Sequence, residues 1–200
     1  NVRLTIDTRL QLSAMGALEK HMTGWNNFFG EERFQNGVVI AMDPKTGEVL
    51  AMVSLPSIEN NRMARFIPGD YYEQIANDPL KPLINHAISA EHPPGSVYKL
   101  PTSVGALNED VIALVREIFC PPSITIMQKF TPNDPGTPQE FVDWIRDDAG
   151  NRIGHGWVDW HHAIAYSADV YYYQVSGGYQ DVIEKGLGVW RMADYAKALG

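Results

Sequence analysis

Ser96 and Lys99 are two residues whose types and spacing could support nucleophilic catalysis. Side chains three positions apart on a helix project from the same face, so the hydroxyl and the amine are expected to meet. A serine becomes a nucleophile when a neighbouring base takes its proton, and a lysine in an apolar pocket can be that base. The spacing alone is common, and a capping Ser96 with a solvated Lys99 is the alternative.

A helix that begins at or next to Ser96 is predicted to present this pair, because apolar residues recur at helical spacing at Val97, Leu100, Val104 and Leu107. Pro101 lacks a backbone N–H, which a helix tolerates only near its start, so it places the start close by. At that start, the backbone N–H of Ser96 would also lie where an oxyanion can form.

The segments before this helix predict a strand, a helix and a hairpin. Residues 2–6 alternate as a half-buried strand does, and Asp7 or Thr8 offers an N-cap for a helix that Gly24 can end. Residues 37–42 and 48–53 flank a turn that contains Pro and Gly, which predicts a β-hairpin. Both strands are nearly all apolar, so the hairpin is expected to lie centrally in a sheet covered on both faces.

Proline-rich windows at 56–94 and 121–138 are interpreted as loops, because proline interrupts long helices and central strands. Two further helices are predicted, at about 159–175 and at 189–199, with Gly200 just after the second.

Composition narrows the class of protein. The 200 residues carry a net charge of −8 and are 44% hydrophobic, which is typical of a globular protein and argues against nucleic acid as a partner. No segment has the apolar length of a membrane span.

The residues that could bind a metal are Cys120, His155, His161 and His162. They lack the paired spacing of metal ligands, so no metal and no cofactor is predicted. The tyrosines at 171–173 are expected to pack in the core, whereas Trp144, Trp157 and Trp160 could line a cleft.

Six segments, in order along the chain, resemble the transpeptidase domain of class B penicillin-binding proteins, especially the elongation-specific type. They are VRLTID at 2–7, AMDPKTGEVLAMVS at 41–54, LINHAI at 83–88, PPGSVYK at 93–99, GHG at 154–156 and SADVYY at 167–172. The resemblance is much more specific than the Ser-x-x-Lys spacing alone.

The resemblance implies that Ser96 attacks the penultimate D-Ala carbonyl of a peptidoglycan stem peptide and forms an acyl-enzyme. Lys99 would deprotonate Ser96, and Ser167 would relay the proton to the leaving amine. The acyl group would then pass to an amine of a neighbouring strand. β-Lactam antibiotics would acylate the same serine.

Two departures from the family pattern affect this expectation. The family's second motif, which the segment at 167–172 resembles, begins here with Ser167. It usually ends in Asn, whereas this chain has Asp169, as some elongation-type members do. An ionised Asp169 beside Lys99 would stabilise the ammonium form and oppose the base role, although Asp169 could instead support the helix that enters at Val170. The third motif, Lys-Thr-Gly or a variant, is not found after Asp169, and the Lys-Thr-Gly at 45–47 belongs to the hairpin turn.

The fold implied by the resemblance is α+β, of the penicillin-binding/serine β-lactamase-like type, with a mainly antiparallel sheet flanked by helices. We expect residues 1–200 to be the N-terminal part of a single transpeptidase domain, incomplete at the C-terminus and without the third-motif strand. Expected partners are stem peptides, β-lactams, a membrane glycosyltransferase and the elongation machinery. The expected location is the extracytoplasmic face of the bacterial inner membrane, through an N-terminal anchor outside this chain.

Two other activities on the same fold are alternatives to the transpeptidase. The first is a β-lactam sensor or a catalytically silent cell-wall scaffold, which Asp169 and the missing third motif would suit. The second is a serine β-lactamase, which the hairpin and the Gly-His-Gly segment disfavour.

Overall fold

The computed structural model describes residues 3–64 and 66–200. The chain divides into two compact units, Asn1–His92 and Pro93–Gly200. Helices and antiparallel strand pairs are present in both units, which agrees with the α+β class. The strands of the described residues form three separate two-stranded sheets. None of the helices in the described part of the chain has the length and apolarity needed to cross a membrane.

The first unit opens with the long helix α1 (Thr8–Phe29). The Asp7 carboxylate accepts hydrogen bonds from the N–H groups of the first turn, which confirms the predicted N-cap. The predicted end at Gly24 is wrong, since an interior glycine weakens a helix by only about 1 kcal/mol. The helix ends instead at Gly30, which has a left-handed φ of 69°.

The segment before α1 does not form the predicted strand. Residues 3–7 have no strand ladder, and Val2 of the predicted strand lies outside the described residues. Two hydrogen bonds nevertheless tie the segment to the second hairpin strand, from Thr5 Oγ1 to the Val49 carbonyl at 2.6 Å and from Asp7 N to the Leu50 carbonyl at 2.9 Å. Irregular side-chain and backbone contacts therefore replace the regular pairing that the alternation predicted.

The predicted hairpin is confirmed as β1 (Gly37–Met42) and β2 (Val49–Leu55), an antiparallel pair. The carboxylate of Asp43 accepts from Lys45 N at 2.7 Å, and Gly47 has a φ of 76°, so the Lys-Thr-Gly at 45–47 serves the turn. The prediction of a central hairpin is wrong for the described residues, although α1 and the helix His86–Ser89 both contact its two strands. β1 pairs there only with β2, and Met42 is 55% exposed.

Short helices occupy the first proline window, which was predicted to be loop. They are α2 (Asn60–Met63), α3 (Gly69–Asn77) and α4 (His86–Ser89). The prolines fall between these helices or at their starts, as Pro68 does at the N-cap of α3, so each helix forms without a proline in its interior.

The second unit begins with a 3₁₀ turn, Gly95–Tyr98, that leads directly into α5 (Lys99–Asn108). The predicted helix start at Ser96 is therefore confirmed. The elements that follow are β3 (Ile118–Cys120), β4 (Ser123–Gln128), β5 (Thr137–Val142), β6 (Gly156–Val158), α6 (Trp160–Ala165), α7 (Asp169–Gly177) and α8 (Val189–Ala198). α8 confirms the last predicted helix.

The sequence predictions for the second proline window and for residues 159–175 need correction. The window contains β4 and the start of β5, and Pro138 is tolerated because β5 pairs with β4 alone in the described residues. The predicted single helix is interrupted at 166–168, which separates α6 from α7.

The core of the second unit is built around α7. Val170, Tyr171 and Val175 are completely buried. Tyr172 is also buried, which confirms the predicted core position for two of the three tyrosines, whereas Tyr173 is half-buried. α7 contacts α5, α8 and the strands β3 and β5. α7, whose first residue is Asp169, is thus packed against several elements, and this packing holds the residues at its N-terminus.

Candidate active site

Ser96 and Lys99 lie on successive turns at the start of the α5 segment. Gly95 has a φ of 58°, which glycine adopts without strain, and this lets the chain turn into the 3₁₀ turn that carries Ser96. Ser96 is exposed, whereas Lys99 is 9% exposed. The hydroxyl is therefore open to solvent, and the amine lies inside the unit.

Ser167 lies in the break between α6 and α7. It has a φ of 54°, a left-handed conformation that is uncommon for residues other than glycine and costs on the order of 1–3 kcal/mol. The N–H of its neighbour Ala168 donates a hydrogen bond to the Ala163 carbonyl at 2.9 Å, near the end of α6. Ser167 therefore does not lie on a continuous helix over 159–175, as the sequence predicted.

The four residues of the predicted site are brought together by these two segments. Lys99 Nζ donates to the Ser167 carbonyl at 2.7 Å, to Ser167 Oγ at 2.9 Å and to Asp169 Oδ1 at 2.5 Å. Ser167 Oγ lies 3.1 Å from Ser96 Oγ and donates to it. In the described part of the chain, the hydrogen-bonded connection from Lys99 to Ser96 runs through Ser167, and not directly as the helical spacing predicted.

The arrangement satisfies the protonated form of Lys99. An ammonium group has three N–H donors, and the structure supplies three acceptors. The ring of Tyr172 adds a cation–π contact, with Nζ 5.5 Å from its centroid. The side chain of Asp169 is 28% exposed and that of Lys99 is 10% exposed, so solvent screens the ion pair only in part.

The hydrogen bonds that join Ser96, Ser167 and Lys99 can also have the opposite donor-to-acceptor direction. A hydroxyl both donates and accepts, and its hydrogen rotates to suit its neighbours. If Lys99 is the neutral amine, Ser167 can donate to Nζ while Ser96 donates to Ser167 Oγ. The distances of 2.9 and 3.1 Å are within hydrogen-bond range for both senses. The geometry therefore permits proton transfer from Ser96 to Lys99 through Ser167.

Sequence reasoning missed the role of Asp143 beside this site. Its carboxylate is completely buried, and Oδ2 accepts from the N–H of Val170 at 3.1 Å, at the start of α7. Oδ1 lies 3.3 Å from His155 Nε2, and the His155 ring stacks on Tyr166 with the centroids 5.8 Å apart. No local pattern signals these contacts, because Asp143 and Val170 are 27 residues apart in sequence.

The three tryptophans that were expected to line a cleft occupy different environments. Trp144 Nε1 donates to the carbonyls of Tyr166 and Ser167, both at 3.2 Å, so Trp144 contacts the second motif. Trp157 packs against Phe119 with the ring centroids 5.4 Å apart. The indole nitrogen of Trp160 is buried, and within the described residues it has no hydrogen-bond partner.

The candidate metal ligands do not form a cluster. Over residues 3–64 and 66–200, no group of three or more His, Cys, Asp or Glu side chains is arranged to hold a metal ion. Cys120 is completely buried, and burial, with a smaller contribution from the Asp143 charge, raises the pKa of its thiol to about 12. His161 and His162 lie in α6, where His162 contacts the capping residue Asp159.

Comparison with known proteins gives consistent matches along the chain. The family described as penicillin binding protein transpeptidase domain matches residues 37–200. The chain is 33% identical, over 82% of its length, to the peptidoglycan D,D-transpeptidase MrdA of Haemophilus influenzae. It is 39% identical, over 54% of its length, to the peptidoglycan D,D-transpeptidase PbpA of Mycolicibacterium smegmatis. It spans 22% and 21% of these two relatives, respectively.

A solved structure shows the same fold. The crystal structure of Pseudomonas aeruginosa PBP2 in complex with WCK 5153 superposes with a TM-score of 0.71 and 28% identity. The match covers 98% of this chain and 35% of that one. The α+β transpeptidase fold expected from the sequence is thereby confirmed.

Proposed function

The chain belongs to the penicillin-binding protein transpeptidase family, and on this premise we propose that it carries the acylating serine site of a peptidoglycan D,D-transpeptidase. The observation that supports this proposal is the hydrogen-bonded series from Ser96 through Ser167 to Lys99. It connects an exposed hydroxyl to a buried amine, which is the arrangement that a serine nucleophile and its base require.

In the proposed reaction, Ser96 Oγ attacks the carbonyl carbon of the penultimate D-Ala of a stem peptide. The Ser96 proton passes through the Ser167 hydroxyl to the neutral amine of Lys99. The C–N bond to the terminal D-Ala then breaks, and the departing amine takes a proton from Ser167, which Lys99 replaces. The products are an acyl-Ser96 ester and free D-Ala.

The second half of the reaction restores the serine. An amine from a neighbouring stem peptide attacks the ester carbonyl, and its proton returns through Ser167 and Lys99 to Ser96 Oγ as the ester bond breaks. Asp169 holds the ammonium of Lys99 while Lys99 carries the proton. The backbone N–H of Ser96, in the 3₁₀ turn, is the proposed donor to the oxyanion.

The proposed substrates and partners follow from the family. Stem peptides supply both the acyl donor and the amine, and β-lactams acylate Ser96 because their strained amide resembles the D-Ala-D-Ala bond. A membrane glycosyltransferase and the elongation machinery are the proposed protein partners. The proposed location is the extracytoplasmic face of the bacterial inner membrane.

Labelling with a fluorescent penicillin tests the proposal. The full chain should form a covalent adduct that peptide mass spectrometry places on Ser96, and Ser96→Ala should abolish the adduct. Ser176→Ala is the control, because it removes a half-buried hydroxyl from α7 of the same unit. Labelling that persists in Ser96→Ala, or a wild-type chain that does not label, would refute the proposed site.

A second candidate function is a β-lactam sensor or a catalytically silent cell-wall scaffold. The observation that favours it is the contact between Lys99 and Asp169 at 2.5 Å, which stabilises the ammonium rather than the basic amine. Release of D-Ala from a stem-peptide analogue separates the two functions. Penicillin acylation accompanied by D-Ala release supports the transpeptidase, whereas acylation without release supports the sensor or scaffold.

A further inference from the structure

Trp144 lies against the break between α6 and α7. Its indole N–H is 3.2 Å from two successive carbonyl oxygens, those of Tyr166 and Ser167, and is shared between them. Trp144 is 57% exposed, and its ring centroid lies 6.1 Å from that of His155, so only part of its apolar surface is buried. The directional contact of this side chain is the hydrogen bond to the backbone of the second motif.

The backbone that carries Trp144 is fixed by its neighbour Asp143. The Asp143 N–H donates to the Pro122 carbonyl at 2.9 Å, and its buried carboxylate accepts from Val170 N at 3.1 Å. The N-cap residue of α7, Ala168, has no side-chain acceptor, so the Asp143 carboxylate satisfies an N–H that a capping side chain would otherwise bind. Asp143 and Trp144 therefore hold the two sides of the break, at the start of α7 and at the end of α6.

The Ser167 carbonyl is the point where this contact meets the reactive groups. It accepts from the Trp144 indole and also from Lys99 Nζ at 2.7 Å. Ser167 is held in the left-handed region, and such a conformation persists only when surrounding contacts fix it. If the indole donor is lost, one of the contacts that hold this backbone is removed, and Ser167 Oγ is then free to move from its position 3.1 Å from Ser96 Oγ.

We propose that Trp144 is a positioning residue for the second motif, whose indole N–H keeps Ser167 in the left-handed conformation that places its hydroxyl between Ser96 and Lys99. Its effect on catalysis rests on the proposed acyl-serine function, whereas its effect on the backbone does not. Trp144 acts on the acylation step through Ser167 and does not itself contact the reacting atoms.

The test replaces Trp144 by phenylalanine in the full chain, which keeps an aromatic ring and removes the N–H donor. The acylation rate constant for a fluorescent penicillin should fall about three- to tenfold, which corresponds to the loss of one hydrogen bond. The dissociation constant of the preceding noncovalent complex should change less than about twofold, since the hydrogen bond orients Ser167 and not the ligand. Trp157→Phe is the matched control, because its ring is 66% exposed and packs against Phe119, and it should leave both constants unchanged.

Hydrogen exchange supplies a readout that needs no acylation. Amide exchange in the segment 163–170, followed by mass spectrometry, should be faster in Trp144→Phe than in the wild type and in Trp157→Phe. If the wild-type chain is not acylated, the proposed function fails while the exchange comparison still decides the role of Trp144. Unchanged exchange in Trp144→Phe, or a loss confined to noncovalent affinity, would overturn the inference.

Discussion

Asp169→Asn is predicted to make the protein less stable and, at the same time, faster in acylation. The carboxylate lies 2.5 Å from Lys99 Nζ, and at an effective dielectric constant of about 20 this separation gives a gross attraction of about 7 kcal/mol. Most of that attraction is offset by the desolvation of both groups and by the hydrogen bond that an asparagine oxygen still offers. The remaining contribution is that of a hydrogen bond to a charged group, about 1.5–3 kcal/mol.

This energy acts on the ammonium form of Lys99, whereas a general base must be the neutral amine. Asp169→Asn removes the negative charge that favours the ammonium form. We therefore expect acylation at pH 7 to be faster in Asp169→Asn than in the wild type. Urea unfolding at the same pH should show a loss of about 1.5–3 kcal/mol.

Stopped-flow acylation with a fluorescent penicillin and urea unfolding, both on the full chain, measure the two effects. Glu109→Gln is the matched control, because the Glu109 side chain is also 28% exposed and forms an ion pair, with Arg191 instead of Lys99. It should lower stability by less than about 1 kcal/mol and leave acylation unchanged. If Asp169→Asn is less stable and also acylates more slowly, the charge of Asp169 is required for the reaction and the reasoning is refuted.

Three further predictions concern the packing around the site. Gly154→Ala should destabilise the second unit by about 1–3 kcal/mol or more in urea unfolding, because its Cβ would lie 2.3 Å from the Cys120 carbonyl oxygen; a change below about 0.5 kcal/mol would contradict the observed packing. The Cys120 thiol, whose pKa burial raises to about 12, stays neutral at pH 8, so it should react with a thiol-specific disulfide reagent only after unfolding. Ser103→Ala and Tyr172→Phe should each cost about 1–3 kcal/mol, since each leaves a buried hydroxyl without its partner at 2.8 Å; the double variant should cost less than the sum, and strict additivity would exclude the coupling.

Elements set by local chemistry were predicted from the sequence. The hairpin follows from a Pro-containing and Gly-containing turn between two apolar runs, and the start of α5 follows from Pro101 and the apolar spacing after Ser96. The end of α1 was predicted wrongly, because Gly24 and Gly30 are the same residue type and only Gly30 adopts the left-handed cap. Backbone conformation, which residue type alone does not determine, decides between such positions.

Sequence patterns did not predict the break at 166–168 or the long-range contacts that position Ser167. The apolar spacing continues across the break at 166–168, and Ser167 adopts a positive φ without being glycine, so no signal marks the interruption. The contacts of Asp143 and Trp144 with the second motif span more than twenty residues. They depend on how β5 packs against α7, which is a property of tertiary structure.

The opposite exposure of Ser96 and Lys99 has a consequence for chemical selectivity. A primary amine is intrinsically a better nucleophile than a serine hydroxyl, and an acyl donor in contact with both could be captured irreversibly as an amide. Here the Lys99 side chain is 10% exposed and its amine contacts three acceptors, whereas Ser96 is exposed. In the proposed reaction, steric access rather than intrinsic reactivity would therefore direct the acyl group to oxygen. The proposed product is an ester, which an incoming amine could still cleave, so the site would be reusable.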